Sequence, residues 1–308
     1  MFLGIEIGGT KLQLGLGHGD GHIHALWRGT VNPAEGGEGI RKQIISAVPE
    51  LLAKANTDRG SLKGVGIGFG GPTDDRSQTV IKSHQIKGWD GFPLADWVSD
   101  LVGAPAVLCN DADVAGLGEA LFGAGRGLSP IFYITVGTGV GGGLIIDGQI
   151  YRGVGRGAAE IGHYVQVCSG QTNDDSRVTT EDLASGRAIE SRAARVPGLA
   201  GNGLLSAKSL ADLATTGDPT ARFILGRTTS ALAEAIAQMI TLLCPARVVI
   251  GGGVSLIGEE LFFRPIREEV ALLTFPPFAG LTDIVPAALG QEVVIHGALA
   301  LARQKFGG

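Results

Sequence analysis

The feature that most constrains this chain is a pattern that occurs twice. Phe2–Ile7 is an apolar run, Gly8-Gly9-Thr10 makes a turn, and Lys11–Gly17 alternates Leu12, Leu14 and Leu16 with small or polar residues. More than a hundred residues on, Ile131–Val136, Gly137-Thr138-Gly139 and Val140–Ile146 repeat the design. Alternation with period two marks a half-buried strand, and paired glycines suit a tight hairpin turn. The copies lie too far apart for a solenoid period and fit two related domains facing each other.

The segments between the copies supply the rest of an α/β class. Gly39–Ala55 has Ile40, Ile44, Ala47, Val48 and Leu51 at helical spacing,. Val65–Phe69 is a short strand entering a Gly70-Gly71-Pro72 turn, and Ala106–Cys109 is another, after which Asn110 and Asp111 open a helix to about Phe122. Thr180–Arg195 reads as one helix capped by Thr179, with Asp182 three residues on,. Leu225–Leu243 is a long helix stopped before Pro245; Arg247–Ile250 is a strand entering Gly251-Gly252-Gly253; Val294–Gln304 is a closing helix. At roughly 100–200 residues per domain, 308 residues make two,.

Composition excludes several function classes. The 51 glycines are more than twice the ordinary share of about 7 %, yet they sit beside apolar runs, as tight turns and close backbone approaches require,. Net charge is −5 and no basic run exceeds a pair, so there is no nucleic-acid footprint,. Cys109, Cys168 and Cys244 are odd in number and far apart, which indicates neither a disulfide framework nor a four-cysteine zinc site,. No apolar stretch reaches membrane-spanning length and no leader pattern opens the chain,. A soluble, cytoplasmic protein is expected.

Each motif has a plain structural reading beside a functional one. In Gly8-Gly9-Thr10-Lys11, adjacent glycines let backbone N–H groups approach an anion and Thr10 adds a hydroxyl; the alternative is a simple hairpin. Glu6 just before it could hold hydrated magnesium or be a strand-end charge. Gly137–Gly143 contains a G-x-G-x-x-G match, but a strand follows where a dinucleotide-binding motif needs a helix, so a phosphate-binding hairpin is the better reading. Asn110-Asp111 is a good N-cap pair, and the same place holds a carboxylate ionised and oriented. Glu160 and His163 could grip vicinal hydroxyls or be a structural pair. Gly251–Gly253 could bare the backbone to a flat purine or simply turn the chain.

Taken in order, IEIGGTK, NDADVAGLGEALFGAGRG, ITVGTGVGGGLIIDGQIYRG, AEIGH and IGGGVS resemble the ROK family of sugar kinases, repressors and related open reading frames, nearly end to end. The resemblance implies an actin-like (ribonuclease H-like) α/β fold of two domains with a cleft between them. It places a small N-terminal domain at 1–118, closed by a C-terminal helix at 293–308, and a larger one at 119–292. It implies ATP-dependent phosphorylation of a hexose, glucose first, with Asp111 as base. Asn110, Glu160, His163 and Glu181 would hold the sugar, with Gly71 and the His84 stretch nearby. Gly8, Gly9, Thr10 and Lys11 and the Gly137, Thr138, Gly139 turn would face the donor phosphates, Gly251, Gly252 and Gly253 the adenosine, and Glu6 a magnesium-bound water. A homo-oligomer is expected on the same ground.

Three departures from the family pattern stand out. Its cysteine-rich zinc element should follow the Gly-His pair, but Tyr164–Asp175 holds only Cys168, so no structural zinc is expected,. Glu6 stands where Asp is usual, and His84 where Asn is frequent. The acceptor stays open among glucose, mannose, fructose, N-acetylmannosamine and N-acetylglucosamine, and polyphosphate stays open beside ATP. A non-catalytic sugar sensor is the reading from another class; sensors of the family carry a DNA-binding segment ahead of the first strand, where this sequence begins directly, and Asp111 is present.

Overall fold

The computed structural model describes residues 1–83, 85–166, 178–197, 199 and 205–308. The chain opens with β1 (Phe2–Ile7), β2 (Lys11–Gly17), β3 (Ile23–Thr30), α1 (Gly36–Lys54), β4 (Gly64–Phe69), a ribbon of β5 (Thr73–Asp74) and β6 (Thr79–Val80), α2 (Leu94–Val102), β7 (Ala106–Asn110) and α3 (Asp111–Phe122). It continues with β8 (Ile131–Val136), β9 (Val140–Ile146), β10 (Gln149–Ile150), a ribbon of β11 (Val165–Gln166) and β12 (Val178–Thr179), then α4 (Thr180–Ala184), α5 (Gly186–Ala194), α6 (Ala207–Thr215) and α7 (Pro219–Leu243). β13 (Arg247–Gly251), α8 (Arg264–Leu273), β14 (Asp283–Pro286) and α9 (Val293–Phe306) close it.

The repeated hairpin of the sequence is the start of a repeated sheet. One five-stranded sheet has the order β3-β2-β1-β4-β7, the other β10-β9-β8-β13-β14. In the first, β2 runs antiparallel to β1 and β3, while β4 is parallel to β1 and β7. In the second, β10 is antiparallel to β9, and β13 is parallel to β8 and β14. β1 is buried along its whole length, as a central strand covered on both faces should be,. The chain divides into two compact units: 1–128, 143–158 and 288–308 form the first, 129–142 and 159–287 the second.

Glycine explains how closely the first unit packs. A Cβ on Gly66 of β4 would lie 1.9 Å from the Ala298 carbonyl oxygen of α9, and one on Gly297 would lie 1.7 Å from the Val114 carbonyl oxygen of α3. Both neighbours are backbone atoms, so only glycine lets α9 seat between β4 and α3. Phe2, Ile295, Leu299 and Ala302 fill the space beside it. Among the described residues no helix is long and apolar enough to cross a membrane.

Two helices differ from expectation. Thr180–Arg195 is not one helix: Ser185 is extended (φ −68°, ψ 161°) and separates α4 from α5. The capping box of Thr179 and Asp182 forms at the start of α4. Ser185 then caps α5, its Oγ accepting from Ala188 N at 3.2 Å, while Gly186 N donates to the Gly137 carbonyl at 2.8 Å. The break lets the chain bond to the second hairpin. α7 begins at Pro219, before Leu225, because Asp218 caps it through Ala221 N and proline suits the first helical position,.

Candidate active site

In the first unit, β7 delivers Asn110 and Asp111 to the start of α3. Asn110 is extended, and its Oδ1 accepts from Ala112 N at 2.9 Å and Asp113 N at 3.4 Å. Its Nδ2 donates to the Gly71 carbonyl at 3.1 Å. The side chain thus caps the helix and anchors the Gly70-Gly71 loop together. Asp111 is half-buried in the first turn of α3, where unpaired helix N–H groups favour a negative charge,. A Cβ on Gly70 would come within 3.3 Å of Asp111 Oδ2, so the bare loop lies against the carboxylate.

Behind this loop is a polar cluster that sequence reasoning missed. Arg152 Nε and Nη2 hold Asp75 at 2.8–3.1 Å, Nη2 reaches Thr73 Oγ1 at 3.2 Å, and Nη1 pairs with Asp113. Asp113 is 2 % exposed. One guanidinium therefore ties the first turn of α3 to the segment just after Gly71. Cys109 Sγ lies 4.0 Å from Asp113 Oδ2, and burial together with that carboxylate pushes its thiol up, out of nucleophilic range,. Glu119, 0 % exposed, accepts from Ala288 N, Leu289 N and Ala124 N at 2.7–2.9 Å, which staples α3 to the approach to α9.

The first hairpin turn has its charges beneath it. Gly8 N donates to Lys11 O at 2.9 Å, and Thr10 is exposed. A Cβ on Gly9 would strike Gln85 Oε1 at 1.6 Å. Glu6 is buried; its Oε1 meets Lys11 Nζ at 2.8 Å and its Oε2 accepts from Gln13 Nε2 at 2.7 Å. Gln13 Oε1 accepts from Arg28 Nε at 3.0 Å, and Lys11 and Gln13 both donate to the Gln291 carbonyl. Burial raises the Glu6 carboxyl above its ordinary value, and Lys11 and Gln13 only partly offset this,. Each oxygen thus carries one bond and keeps a second lone pair,.

In the second unit the turn Gly137–Gly139 is dressed from outside. Glu181 of α4 accepts from Val140 N through Oε2 at 2.8 Å, and a Cβ on Gly139 would lie 2.4 Å from that oxygen. Gly186 N donates to Gly137 O, and Arg187 Nε donates to Thr138 O at 3.3 Å. The third glycine cluster joins the same place: Gly252 has φ +89°, and a Cβ there would lie 2.5 Å from Val136 O. Gly137 and Gly253 meet nothing within 4 Å of their Cβ positions, so their backbone is open. Two glycine turns more than a hundred residues apart in sequence thus form one bare backbone surface.

Glu160 and His163 flank a short 3₁₀ turn over Ile161–His163, entered through Ala159 at φ +63°. His163 Nδ1 and Glu160 Oε2 are 3.7 Å apart and both side chains are exposed. They border a cavity of about 350 Å³ walled by Phe132, Tyr164, Gln238 and Met239. His84 and Cys168 lie outside the described residues. Among the described residues, no group of three or more His, Cys, Asp or Glu side chains is placed to hold a metal ion.

Comparison with known proteins gives the same picture across the chain. The model of the ROK family matches residues 2–305. A glucokinase of Thermotoga maritima is 34 % identical over 99 % of this chain and 98 % of its own length. Among solved structures, the ROK family glucokinase of Streptomyces griseus, determined in complex with glucose and AMPPNP, is 34 % identical with a TM-score of 0.79, covering 98 % of this chain and 99 % of that one. The ROK hexokinase of Thermus thermophilus has a TM-score of 0.84 at 27 % identity, covering 99 % of this chain and 98 % of its own. The two α/β units with matching five-stranded sheets are those of the actin-like fold.

Proposed function

This chain belongs to the ROK family, and from that premise we propose that this sugar kinase transfers the γ-phosphoryl group of ATP to a hexose hydroxyl, with glucose the first substrate to test. The observation that carries the reading is Asp111, a carboxylate at the start of α3 with the bare Gly70 backbone against it and Asn110 tying the helix start to the Gly71 carbonyl.

In this reading Asp111 accepts a hydrogen bond from the sugar hydroxyl and orients it. As the new O–P bond forms and the bond to the departing ADP breaks, the hydroxyl proton passes to Asp111. Phosphoryl transfer has a loose transition state, so a weak base in the right place is enough. Glu160 and His163 grip ring hydroxyls of the hexose. Glu181, its Oε2 held by Val140 N, turns its other oxygen to the sugar. Thr10 and the Gly137–Gly139 turn offer N–H and hydroxyl donors to the donor phosphates, where preorganised donors stabilise developing charge. Magnesium, when bound to the nucleotide, would neutralise phosphate charge, and Glu6 would reach one of its waters through an open lone pair,.

The 34 % identity to glucokinases supports testing glucose ahead of the other hexoses. The test is a coupled assay with a panel of hexoses and N-acetylhexosamines, each with ATP and with polyphosphate. Glucose with ATP is expected to turn over best. Asp111→Asn is expected to lose roughly 10²–10⁴-fold in kcat, the range of a positioned base, with glucose binding retained. A variant with wild-type turnover overturns the role of Asp111. A wild-type protein that binds sugars but phosphorylates none is instead a sensor.

A further inference from the structure

The donors and acceptors of the Gly137–Gly139 turn are sorted by partner. Its carbonyls at Gly137 and Thr138 are taken by Gly186 N and Arg187 Nε, and Gly137 N is taken by Gly139 O. Among the described residues, the N–H groups of Thr138 and Gly139 meet no acceptor. The turn therefore presents donors alone, as an anion-binding nest does. Yet Glu181 Oε2 sits close to Gly139, and a carboxylate there repels an incoming phosphate chain. A cation nearby is needed to offset it.

Arg187 is that cation. It is exposed, stands two residues past the break at Ser185, and is tethered to the tip of the turn through Nε. Its Nη1 and Nη2 meet no acceptor among the described residues. A guanidinium has five donors in a planar fork suited to phosphate oxygens, and only one of the five is committed here. Gly186 next to it is bonded to the same turn. The helix break thus serves to bring residue 187 to the turn.

We propose that Arg187 is a ligand of the donor phosphate chain, binding through Nη1 and Nη2 while Nε keeps it on the Thr138 carbonyl. This rests on the reading of the turn as the phosphate site. It adds a residue that contributes affinity for any polyphosphorylated donor, whether nucleotide or inorganic chain, and none for the sugar.

The test measures binding of ADP and of inorganic tripolyphosphate by calorimetry, without sugar, to wild type, Arg187→Ala and Arg187→Lys, with thermal unfolding of each. Arg187→Ala is expected to weaken both ligands by about 10- to 100-fold, the worth of one or two charged hydrogen bonds. Its unfolding midpoint should stay within a few degrees of wild type. Arg187→Lys restores the charge without the Nε bond and should recover part of the affinity, with a steeper salt dependence than Arg187→Ala. Unchanged binding in Arg187→Ala overturns the proposal. So does equal loss in both variants with a lowered midpoint, which would make Arg187 a brace for the turn. A wild-type protein that shows these binding effects but phosphorylates no sugar refutes the kinase reading and leaves this one standing.

Discussion

The two units share one sheet order and differ in where they keep their charges. Among the described residues, the buried carboxylates Glu6, Asp113 and Glu119 all lie in the first unit, while the buried polar side chains of the second, such as Gln166, Thr180, Ser185 and Ser255, are neutral. Of the candidate charges of the second unit, Glu160, His163 and Arg187 are exposed, while Glu181 is half-buried on Val140 N. A buried charge is stable only when paired and bonded, so the first unit is locked at the start of α3 by Arg152 and Asn110 and near its other end by Glu119. An exposed charge keeps its bonding capacity for a ligand. The same sheet order thus carries buried, paired charges in one unit and mostly exposed ones in the other.

The comparison is broken most severely at Arg152. Arg152→Leu leaves Asp113 buried without that partner and should cost about 3–5 kcal/mol, read by urea unfolding; a cost below 1 kcal/mol would mean that the lock is not electrostatic. In the second unit the sharpest damage should come from backbone shape instead. Gly252→Ala forces φ +89° on a residue with a Cβ and drives that Cβ into Val136. About 2–4 kcal/mol of strain and overpacking is expected, whereas Gly137→Ala, with open space around it, should be nearly neutral in the same measurement.

A paired substitution compares the two turns directly. Alanine at Gly9 displaces the side chain of Gln85, whereas alanine at Gly139 dislodges Glu181 from Val140 N. Gly139→Ala should raise the sugar KM about tenfold, one charged hydrogen bond at the low end of its range, and Gly9→Ala should leave it within a few-fold. Equal effects would erase the distinction between the turns.

The smallest effect is a slope with pH. Because burial raises the folded carboxyl of Glu6, the folded state binds its proton more tightly than the unfolded state. Its contribution to stability is therefore full at low pH and falls as pH rises from the ordinary carboxylate value through the folded one. Urea unfolding of wild type and Glu6→Gln across that window should show the wild type losing stability relative to the variant as pH increases. Parallel curves would place the Glu6 carboxyl in an unperturbed environment.

Much of this was legible in the residues. β1, β2, β8 and β9 follow from alternation and paired glycines, and α3 from Asn110-Asp111. The residues missed share one property: their partners are distant. Arg152 bonds to Asp75 and Asp113, Glu119 to residues 288 and 289, and Arg187 to a carbonyl 49 positions back. The break at Ser185 was hidden for the same reason, since the capping box and helical spacing of 180–195 are satisfied locally while the competing bond comes from Gly137.

By itself, then, the sequence determined the α/β class, the duplicated hairpin, the helix that presents Asp111 and the family whose chemistry these motifs carry. Local propensity and periodicity act over a few residues and survive any arrangement of the rest. Only the tertiary structure decided which charge is buried and which stays open. It sealed Asp113 with Arg152 and Glu119 with backbone amides in the first unit, and it brought Gly252, Glu181 and Arg187 to one glycine turn in the second. Those choices depend on desolvation and on bonds between residues far apart in the chain, and no short window of sequence contains both partners.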